Sequence, residues 1–463
     1  MYISYDPELL KTKIAGVEFY NPFILGCGPP TRDAERIIRA ARMGWAGAVH
    51  KTVVIPPTKD PSPRIAAKGF RRAYLYVNQN IELLTTYPIE QWEKWVPEIK
   101  AKAPSGFVLI SSIMGGPDPE SWKEPLLRMQ DAGTDMIELN VSCPHGSPEK
   151  HMGSFIGQDP KLVREITSFV KKHAKVPVIV KFTPNVTDIK PIAKAAEEAG
   201  ADAYTVANSH GPGIIGIDIY REEPLPSVKG YSTPGGISGP AIKPFVLRLI
   251  SEVAKTVSNP EIFGLGGVVS WYDAIEHMMV GAKAVQLVTG VLWYGYAIIE
   301  KLIEGTVRYL EEKKFSSITE VIGRVLPKIV AHKELSFEDW AAVFVDPEKC
   351  IACKRCIPSC RDAGGGALYY DPKARVVRCD VEKCIACGIC TCVCPVGAPK
   401  LLPKEEAKRR YEESLSSEVT PLALRVLMHF KDKIEEEYDR LTESIREPPF
   451  MYNRAFAPPE PEE

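Results

Sequence analysis

Residues 177–208 read PVIVKFTPNVTDIKPIAKAAEEAGADAYTVAN and contain one complete strand–helix–strand unit. The apolar run over 177–183 predicts a buried strand, and apolar side chains at steps of three and four over 188–199 predict an amphipathic helix. Gly200 then ends the helix, as a glycine C-cap does, just before a second apolar run at 202–208. The segment therefore indicates a β–α–β unit.

The same alternation continues over residues 20–315. Eight strand–helix units predict an α/β fold, a closed (β/α)8 TIM barrel. An open doubly wound sheet stays the alternative, because alternation alone does not close a barrel. Strands are predicted at 23–27, 46–53, 107–113, 135–141, 177–183, 202–208, 261–266 and 283–288. Helices are predicted near 31–43, 89–101, 119–132, 160–173, 188–199, 240–257, 271–280 and 292–312.

Three connections that follow predicted strands are long, at 54–88, 142–159 and 209–239. Barrel enzymes place their chemistry at the C-terminal ends of the strands, where these connections begin. Loops of this length are usually functional or disordered. We therefore expect the functional site at this face of the barrel.

Eight cysteines downstream form two C-x2-C-x2-C-x3-C runs, the second followed by Pro395. This spacing is typical of bacterial ferredoxins with two [4Fe-4S] clusters, in which the fourth cysteine of each run binds the other cluster. Structural zinc and disulfides are the alternatives, although zinc usually takes separated C-x-x-C pairs and disulfides belong to small secreted chains. One predicted ligand set is Cys350, Cys353, Cys356 and Cys394, and the other is Cys384, Cys387, Cys390 and Cys360. Cys379 and Cys392 lie off the pattern and are predicted to be small buried hydrophobic side chains.

Length and charge limit the remaining possibilities. The 463 residues suffice for two or three domains, and the net charge of −1, without a basic block, argues against nucleic-acid binding. The N-terminal MYISYDPELLKTK lacks the apolar region of a signal peptide, and no apolar run is long enough for a membrane helix. With reduced cysteine ligands, we expect a cytoplasmic protein with no membrane association, and an oligomer.

Four segments are predicted: a barrel at 1–315, a helical connector at 316–345, a small α+β ferredoxin-like domain at 346–402, and a helical extension with a proline-rich tail at 403–463. In the extension, Thr420 is a predicted N-cap with Pro421 at the first helical position. An apolar stripe follows at helical spacing: Leu427, Phe430, Ile434, Tyr438, Leu441 and Ile445. We expect the stripe to cover the parent protein, and a docking helix for a partner is the alternative.

Several predicted strands end in chemically specific residues. These are Lys51-Thr52, Asn140-Val141-Ser142-Cys143-Pro144-His145-Gly146, Lys181 with the following Thr183-Pro184-Asn185, and Gly264-Leu265-Gly266-Gly267. Together with the cysteine runs, they resemble the flavin-binding barrels of the dihydropyrimidine dehydrogenase family, within the wider group of dihydroorotate dehydrogenases. More narrowly, the chain is similar to iron–sulfur flavoprotein subunits of two-subunit bacterial members. The resemblance covers about residues 12–402.

The resemblance implies FMN as a cofactor. It places Lys51 and Lys181 near the flavin, where a cation stabilises the charge of the reduced ring. It also places glycine-rich backbone against the flavin phosphate. The implied cofactor-binding residues are Cys27, Lys51, Thr52, Lys181, Gly239, Leu265, Gly266, Gly267, Val288 and Thr289.

The resemblance implies that Cys143 is the general acid. Hydride would reach C6 of a pyrimidine from the flavin, while the Cys143 thiol protonates C5. An ordinary thiol pKa near ~8.5 keeps such a donor protonated at neutral pH. The alternative for a lone cysteine at a strand end is a buried structural thiol.

The implied substrate-binding residues are Asn80, Asn140, Val141, Ser142, Asn208 and Ser209. Asparagine offers a donor and an acceptor together, which suits the alternating carbonyl and N–H groups of a uracil ring. Ser209-His210 departs from the family pattern, in which threonine usually follows the asparagine. Another unsaturated cyclic amide or an enone therefore stays open as substrate.

The sequence offers no convincing nucleotide site of its own. Residues 211–216 match G-x-G-x-x-G, but IDIYREEPLP follows instead of a helix, so the βαβ context is missing. The resemblance implies an NAD(P)H-oxidising flavoprotein subunit as electron donor. The predicted function is reduction of the C5=C6 bond of uracil or thymine, with electrons relayed through the clusters. A non-catalytic electron-relay subunit of a larger redox complex is the alternative from another class.

Overall fold

The protein is seen in a computed structural model that describes residues 6–70, 74–144, 152–338 and 340–431. The chain divides between Ile329 and Val330 into two compact units. No helix within the described ranges is long and apolar enough to cross a membrane.

The first unit contains sixteen strands within its described residues. They are β1 (Thr12–Ile14), β2 (Val17–Phe19), β3 (Phe23–Leu25), β4 (Gly47–Val49), β5 (Ile65–Phe70), β6 (Tyr74–Asn80), β7 (Val108–Ile113), β8 (Met136–Asn140), β9 (Val178–Lys181), β10 (Ala203–Val206), β11 (His210–Gly213), β12 (Ile217–Asp218), β13 (Glu223–Pro224), β14 (Gly235–Ser238), β15 (Ile262–Leu265) and β16 (Ala284–Leu287). Eight of them form a closed parallel barrel in the order β10-β15-β16-β3-β4-β7-β8-β9. The predicted TIM barrel is confirmed, and all eight barrel strands lie within the predicted ranges.

The helices of this unit follow the predicted pattern closely. They are α1 (Ala34–Arg42), α2 (Ile89–Lys102), α3 (Lys123–Asp131), α4 (Ser154–Gly157), α5 (Pro160–His173), α6 (Lys190–Glu198), α7 (Lys243–Thr256), α8 (Trp271–Met279), α9 (Thr289–Tyr294) and α10 (Ile298–Lys313). Gly200, which was predicted to end a helix, and three other glycines that follow helices adopt positive φ angles between 87° and 115°: Gly44, Gly133, Gly200 and Gly281. The left-handed backbone at these positions supports the C-cap prediction.

Helix α5 shows how the local sequence produces these elements. The side chain of Asp159 accepts a hydrogen bond from the backbone N–H of Lys161 at 2.8 Å, and Pro160 occupies the first helical position. Both features favour a helix start. Val163, Ile166, Thr167 and Val170 are buried at helical spacing and turn one face of the helix to the core.

Two of the long connections form a second sheet that was not predicted. Strands β5 and β6 come from the connection at 54–88, and β11 and β14 come from the connection at 209–239. They pair in the order β11-β14-β6-β5, with Asn78 opposite Ser238 and Asn80 opposite Gly236. The sheet therefore brings two polar segments, distant in sequence, into register with each other.

The segment predicted as a helical connector, 316–345, does not form one α-helical linker. It contains three 3-10 turns, Ile318–Val321, Leu326–Lys328 and His332–Glu334. Its last residues already belong to the second unit as β17 (Ala341–Val345), which starts before the predicted domain boundary at 346.

The second unit is small and mixed in structure. It consists of β17 paired antiparallel with β20 (Pro399–Pro403), and of β18 (Leu368–Asp371) paired antiparallel with β19 (Val376–Cys379). Its helices are α11 (Cys356–Ala363), α12 (Ile389–Val393) and α13 (Lys404–Ser416). A further helix runs from 422 through 431, the end of the described residues.

The predicted apolar stripe of the extension is visible only at its start. Leu427 and Phe430 are 64% and 55% exposed, so these two side chains do not cover the unit, contrary to our expectation. Ile434, Tyr438, Leu441, Ile445 and the proline-rich tail lie outside the described residues. The predicted N-cap, Thr420, instead hydrogen-bonds through its backbone N–H to the carboxylate of Glu348 at 3.2 Å.

Candidate active site

A cavity of about 610 Å3, counting its open mouth, lies at the C-terminal ends of the barrel strands. Its wall combines strand ends of the barrel with residues of β6 and β14 from the second sheet. The lining residues are Cys27, Asn78, Asn80, Lys181, Ala207, Asn208, Ser209, Ser238, Ile242, Leu265, Gly266, Gly267, Val268, Gln286, Leu287, Val288, Thr289 and Leu292. The predicted functional face therefore carries a large, polar-lined cavity.

A buried charge pair lies in the cavity wall. Lys181 Nζ and Glu138 Oε1 are 3.1 Å apart, and both side chains are almost fully buried. Glu138 Oε2 also accepts hydrogen bonds from Thr205 at 2.8 Å and from Gln286 at 3.2 Å. A buried carboxylate with this many hydrogen-bond donors is held in place, so it positions the Lys181 ammonium at the cavity.

Hydroxyl and amide groups form a second network beside the cavity. Asn140 Nδ2 donates to Thr52 Oγ1 at 2.9 Å, and Cys27 Sγ lies 3.1 Å from the same oxygen. Asn208 Nδ2 donates to Ser142 Oγ at 3.0 Å. Side chains predicted separately for cofactor and substrate binding thus belong to one connected set.

The cavity fits the flavin that the resemblance implies. Asn78 Oδ1 and Gln286 Oε1 are buried acceptors in its wall, and neither finds a hydrogen-bond partner among the described residues. Buried polar atoms are rarely left unpaired in folded proteins, so these two are available to N–H groups of a ring system. Gly266 and Gly267, with φ of 126° and 80°, bring bare backbone to the same wall.

The hydroxyl groups of the cavity suit a phosphate. Thr289 Oγ1 donates to Ser238 Oγ at 2.9 Å, and Asn78 Nδ2 donates to the same oxygen at 3.3 Å. A phosphate ester requires hydrogen-bond donors and no neighbouring carboxylate. These hydroxyl and amide groups, together with the glycine backbone, form such a donor set. Ser238, Thr289, Gly266 and Gly267 would therefore hold the phosphate end of FMN.

Most predicted cofactor residues meet at this cavity. Seven line it: Cys27, Lys181, Leu265, Gly266, Gly267, Val288 and Thr289. Thr52 reaches it through its contact with Cys27. Gly239 follows the lining residue Ser238 with φ of 89°, and a Cβ there would lie 2.9 Å from the ring of Trp293. A side chain at Gly239 would thus collide with the cavity surroundings.

The place of Lys51 near the flavin stays a prediction. It is absent from the described residues that line the large cavity, and its ammonium forms a buried ion pair with Glu82. Arg64 Nε binds the other carboxylate oxygen of Glu82 at 3.0 Å. Both cations belong to a separate cluster of charges, and Lys51 lines a smaller cavity of about 240 Å3 together with Asp60 and Tyr87.

Cys143 lies three residues after the end of β8 and is buried, with 7% of its surface exposed. It is not among the described residues that line the cavity. Its carbonyl oxygen accepts a hydrogen bond from the Ser154 N–H at 3.0 Å, and a Cβ at Gly153 would lie 2.4 Å from that oxygen. The close approach at Gly153 fixes the start of the connection against Cys143, while His145 and Gly146 lie outside the described residues.

The predicted substrate residues divide into three groups. Asn80, Asn208 and Ser209 line the cavity. Asn140 and Ser142 support Asn208 by hydrogen bonds. Val141 is fully buried in the barrel core, so its side chain packs there and does not face the cavity.

His210, the residue that leaves the substrate open, starts β11, and its ring lies near that of Phe245 in a tilted arrangement with centroids 5.6 Å apart. It is absent from the described lining of the cavity.

The eight motif cysteines of the second unit line two small cavities. One, of about 260 Å3, is lined by Cys350, Cys353, Cys356 and Cys394. The other, of about 280 Å3, is lined by Cys384, Cys387, Cys390 and Cys360, with Cys379 beside them. The fourth cysteine of each run thus lies with the first three of the other run, as the ferredoxin spacing predicts.

The surroundings of these thiols are suitable for binding iron–sulfur clusters. Backbone N–H groups of Val377 and Ala398 donate to the sulfur atoms of Cys350 and Cys394 at 3.3 and 3.4 Å. Burial raises the pKa of Cys356 to about 12, so a thiolate there requires the positive charge of bound iron. Cys379 is buried as expected, whereas Cys392 is exposed, which corrects that prediction.

Sequence reasoning missed several residues of the cavity. The side chains of Glu138 and Gln286 are buried in the barrel interior. No local sequence pattern marks a strand residue of this kind. Asn78 and Ser238 meet only through the unpredicted sheet. The aromatic and β-branched run Tyr74-Leu75-Tyr76-Val77 was the available signal for β6.

A cavity with unpaired buried acceptors at the strand ends of the barrel in one unit, and two four-cysteine cavities in the other, define an iron–sulfur flavoprotein oxidoreductase. Comparison with known proteins gives the family. The model of the dihydroorotate dehydrogenase family matches residues 9–310, and the model of the 4Fe-4S dicluster domain matches residues 343–400. The chain belongs to the dihydroorotate dehydrogenase family, and its cofactors are FMN and two [4Fe-4S] clusters.

Individual relatives agree with this assignment. The chain is 36% identical over 397 residues to the NAD-dependent dihydropyrimidine dehydrogenase subunit PreA of Escherichia coli, covering 85% of this chain and 95% of that protein. It is 33% identical to the chloroplastic dihydropyrimidine dehydrogenase (NADP(+)) of Arabidopsis thaliana, over 80% of this chain and 88% of that protein. A dihydroorotate dehydrogenase structure from Eimeria tenella, 20% identical with a TM-score of 0.57, covers 70% of this chain and 90% of that chain and shares the fold.

Proposed function

We propose that this chain reduces the C5=C6 bond of uracil or thymine to the 5,6-dihydropyrimidine. The observation that carries the proposal is the cavity wall, in which the amides of Asn80 and Asn208 and the hydroxyl of Ser209 accompany the Lys181 ammonium. Paired donors and acceptors match the imide edge of a pyrimidine. The names of the E. coli and Arabidopsis relatives support the same substrate class.

FMN, when bound, supplies two-electron hydride chemistry to C6 of the ring. Lys181, held by Glu138, provides positive charge at the cavity wall. Asn208, held by Ser142 and Asn140, presents its amide in a fixed orientation, so the substrate ring is positioned before reaction.

Cys143 donates the proton from Sγ to C5 in this proposal. Its place three residues after the end of β8, next to Ser142 of the polar network, supports the role. With two electrons and two protons added, one ring double bond is lost and no oxygen is required.

The clusters carry electrons one at a time from a separate flavoprotein that oxidises NAD(P)H. The printed name of the E. coli relative, an NAD-dependent enzyme subunit, supports such a partner. The proposed organisation is a barrel at 1–315, a connector at 316–345, a cluster domain at 346–402 and an extension at 403–463, with the subunits assembled in an oligomer.

An anaerobic assay with chemically reduced methyl viologen tests the substrate. We expect oxidation of the viologen with uracil and thymine, with formation of the dihydropyrimidine. Orotate serves as the competing substrate, because the family also contains dihydroorotate dehydrogenases. Turnover with orotate alone, or with no pyrimidine at all, would overturn the proposal, and the second result would favour the electron-relay alternative.

A further inference from the structure

In each predicted ligand set one cysteine is exposed, and the other three are buried or half-buried. Cys353 and Cys387 are exposed, whereas Cys350, Cys356, Cys360 and Cys390 are buried. Electron transfer between proteins requires close approach, so the surface around each exposed cysteine is a possible entry point. The two surfaces differ in charge.

The surface around Cys353 carries five exposed basic residues, which we call the basic edge: Lys349, Lys354, Arg355, Lys373 and Arg375. Three of them flank the first cysteines in the sequence, and two come from the turn between β18 and β19. The Lys354 ammonium lies 3.8 Å from the ring centroid of Tyr370, which joins the two segments.

A buried arginine of the extension also holds the basic edge together. Arg425 donates to the carbonyl oxygens of Cys350 and Pro347, the latter at 2.8 Å, and to that of Arg375 at 3.3 Å. Val377, two residues after Arg375, donates its N–H to the sulfur of Cys350. The turn that carries Lys373 and Arg375 therefore lies against the first cluster site.

Basic residues outnumber the acidic groups nearby. Asp371 forms an ion pair with Arg378 at 2.7 Å, whereas Glu348 accepts hydrogen bonds from the neutral Thr420 and remains one negative charge beside five positive ones. Within the described part of the chain, Lys349, Arg355, Lys373 and Arg375 form no ion pair with a carboxylate. The basic edge is thus a local concentration of uncompensated positive charge on a protein whose net charge is −1.

The surface around Cys387 has a different character. Lys383 pairs with Asp380 at 3.0 Å, and Lys408 pairs with Glu382 at 3.3 Å. Lys404 also lies 4.0 Å from Glu382, so each of these three lysines has a carboxylate within ion-pair distance and two of them share Glu382. Of the two cluster sites, the one that includes Cys353 therefore presents the positive electrostatic field that would attract an anionic partner.

We propose that the basic edge is the docking surface for the electron-donating protein, and that this protein presents an acidic face around its own redox centre. The inference rests on the proposed relay of electrons through the clusters. Complementary charges steer encounter and fix orientation more than they add affinity. In each encounter the donor loses one electron and the cluster next to Cys353 gains one, with no bond made or broken.

Stopped-flow reduction of the full-length protein, loaded with both clusters, tests the docking surface without any substrate. The probes are a chemically reduced flavodoxin, a strongly acidic protein carrier, and reduced methyl viologen, a small cation. The variant Lys349→Gln/Arg355→Gln/Lys373→Gln removes charge from the basic edge. The matched control, Lys383→Gln/Lys408→Gln, removes paired charge near Cys387. Iron content and visible absorbance are checked in each protein.

We expect the second-order rate constant with flavodoxin at low ionic strength to fall by about tenfold or more in the basic-edge variant. Added salt should slow the wild type and leave the variant nearly unchanged, because salt screens the attraction. Viologen should reduce the variant at least as fast as the wild type, since repulsion of the cation is lost. The control variant should behave as the wild type with both probes.

Three results would overturn the inference: an unchanged flavodoxin rate in the basic-edge variant, equal slowing by both donors, or a loss confined to the control variant. A wild-type flavodoxin rate that does not depend on salt would overturn it without any variant. Failure of pyrimidine turnover would leave these readouts intact, so a wrong substrate and a wrong docking surface are distinguishable.

Discussion

Lys181 on β9 and Glu138 on β8 form an ion pair of 3.1 Å in which both side chains are buried. The two residues lie on neighbouring parallel strands, with Lys181 opposite Asn140 in the register and Glu138 two residues earlier. Thr205 and Gln286 complete the hydrogen bonds of the carboxylate. Since Lys181 also lines the cavity, the same ion pair stabilises the barrel core and positions a cation at the candidate flavin site.

Replacing Lys181 alone should damage stability as well as function. In Lys181→Met, the buried carboxyl group of Glu138 loses its cationic partner, and breaking a buried pair in this way costs about 3–5 kcal/mol. Denaturant unfolding measures the loss. The double variant Lys181→Met/Glu138→Gln should recover most of the free energy of unfolding but retain an altered flavin reduction potential. Equal stability of the single and double variants would contradict the proposed pairing.

Cys143→Ala should lower pyrimidine turnover by about 10²–10⁴-fold, the usual contribution of a positioned proton donor. FMN content and reduction of the clusters by viologen should stay at wild-type levels, because the thiol is absent from the described cavity lining. Cys27→Ala is the control: this thiol lines the cavity and contacts Thr52, and we expect a loss of less than tenfold. Wild-type turnover in Cys143→Ala would make Cys143 a structural thiol.

The crossed ligand sets predict which substitutions act on the same cluster. Cys394→Ser should alter the cluster bound by Cys350, and Cys360→Ser should alter the cluster bound by Cys384. Electron paramagnetic resonance of the reduced protein separates the two signals. If Cys394→Ser and Cys384→Ser perturb the same signal, the ligands are not crossed. Cys392→Ser, at an exposed cysteine outside both sets, should leave both signals unchanged.

The barrel could be predicted because its signals are local. Each strand is a short apolar run, each helix has its own periodicity, and Gly44, Gly133, Gly200 and Gly281 mark the helix ends within a few residues. The cluster ligands could be predicted equally well from the sequence, because the fixed cysteine spacing indicates that the fourth cysteine of each run belongs to the other cluster.

The rest of the site depends on contacts between distant segments. Asn78 and Ser238 are 160 residues apart in the sequence. They meet through a strand pairing that no local sequence pattern predicts. Lys51 was assigned by its position at a strand end, yet Glu82, which binds it, comes from the following connection. Strand register and buried charge partners are tertiary properties, and sequence periodicity carries little information about either.

Two buried histidines make the barrel sensitive to acid. His50 stacks on Trp92 with ring centroids 4.3 Å apart, and burial lowers its pKa to about 4. Burial likewise lowers the pKa of His277 on α8 to about 4. In the unfolded chain both would titrate near ~6.5. Between pH 6.5 and 4 the unfolded state therefore binds protons that the folded state does not.

The sign of the effect follows from this difference. The stability from each neutral histidine is fully present above pH ~6.5 and is lost as pH falls towards 4, by an order of ~3 kcal/mol per residue. His50→Phe keeps a ring against Trp92 but removes the titration, so its free energy of unfolding should fall less steeply below pH 6.5. Denaturant unfolding at several pH values, followed by tryptophan fluorescence, measures the slope. His332→Gln, at an exposed position, is the control and should keep the wild-type slope, and the same slope in His50→Phe would contradict the prediction.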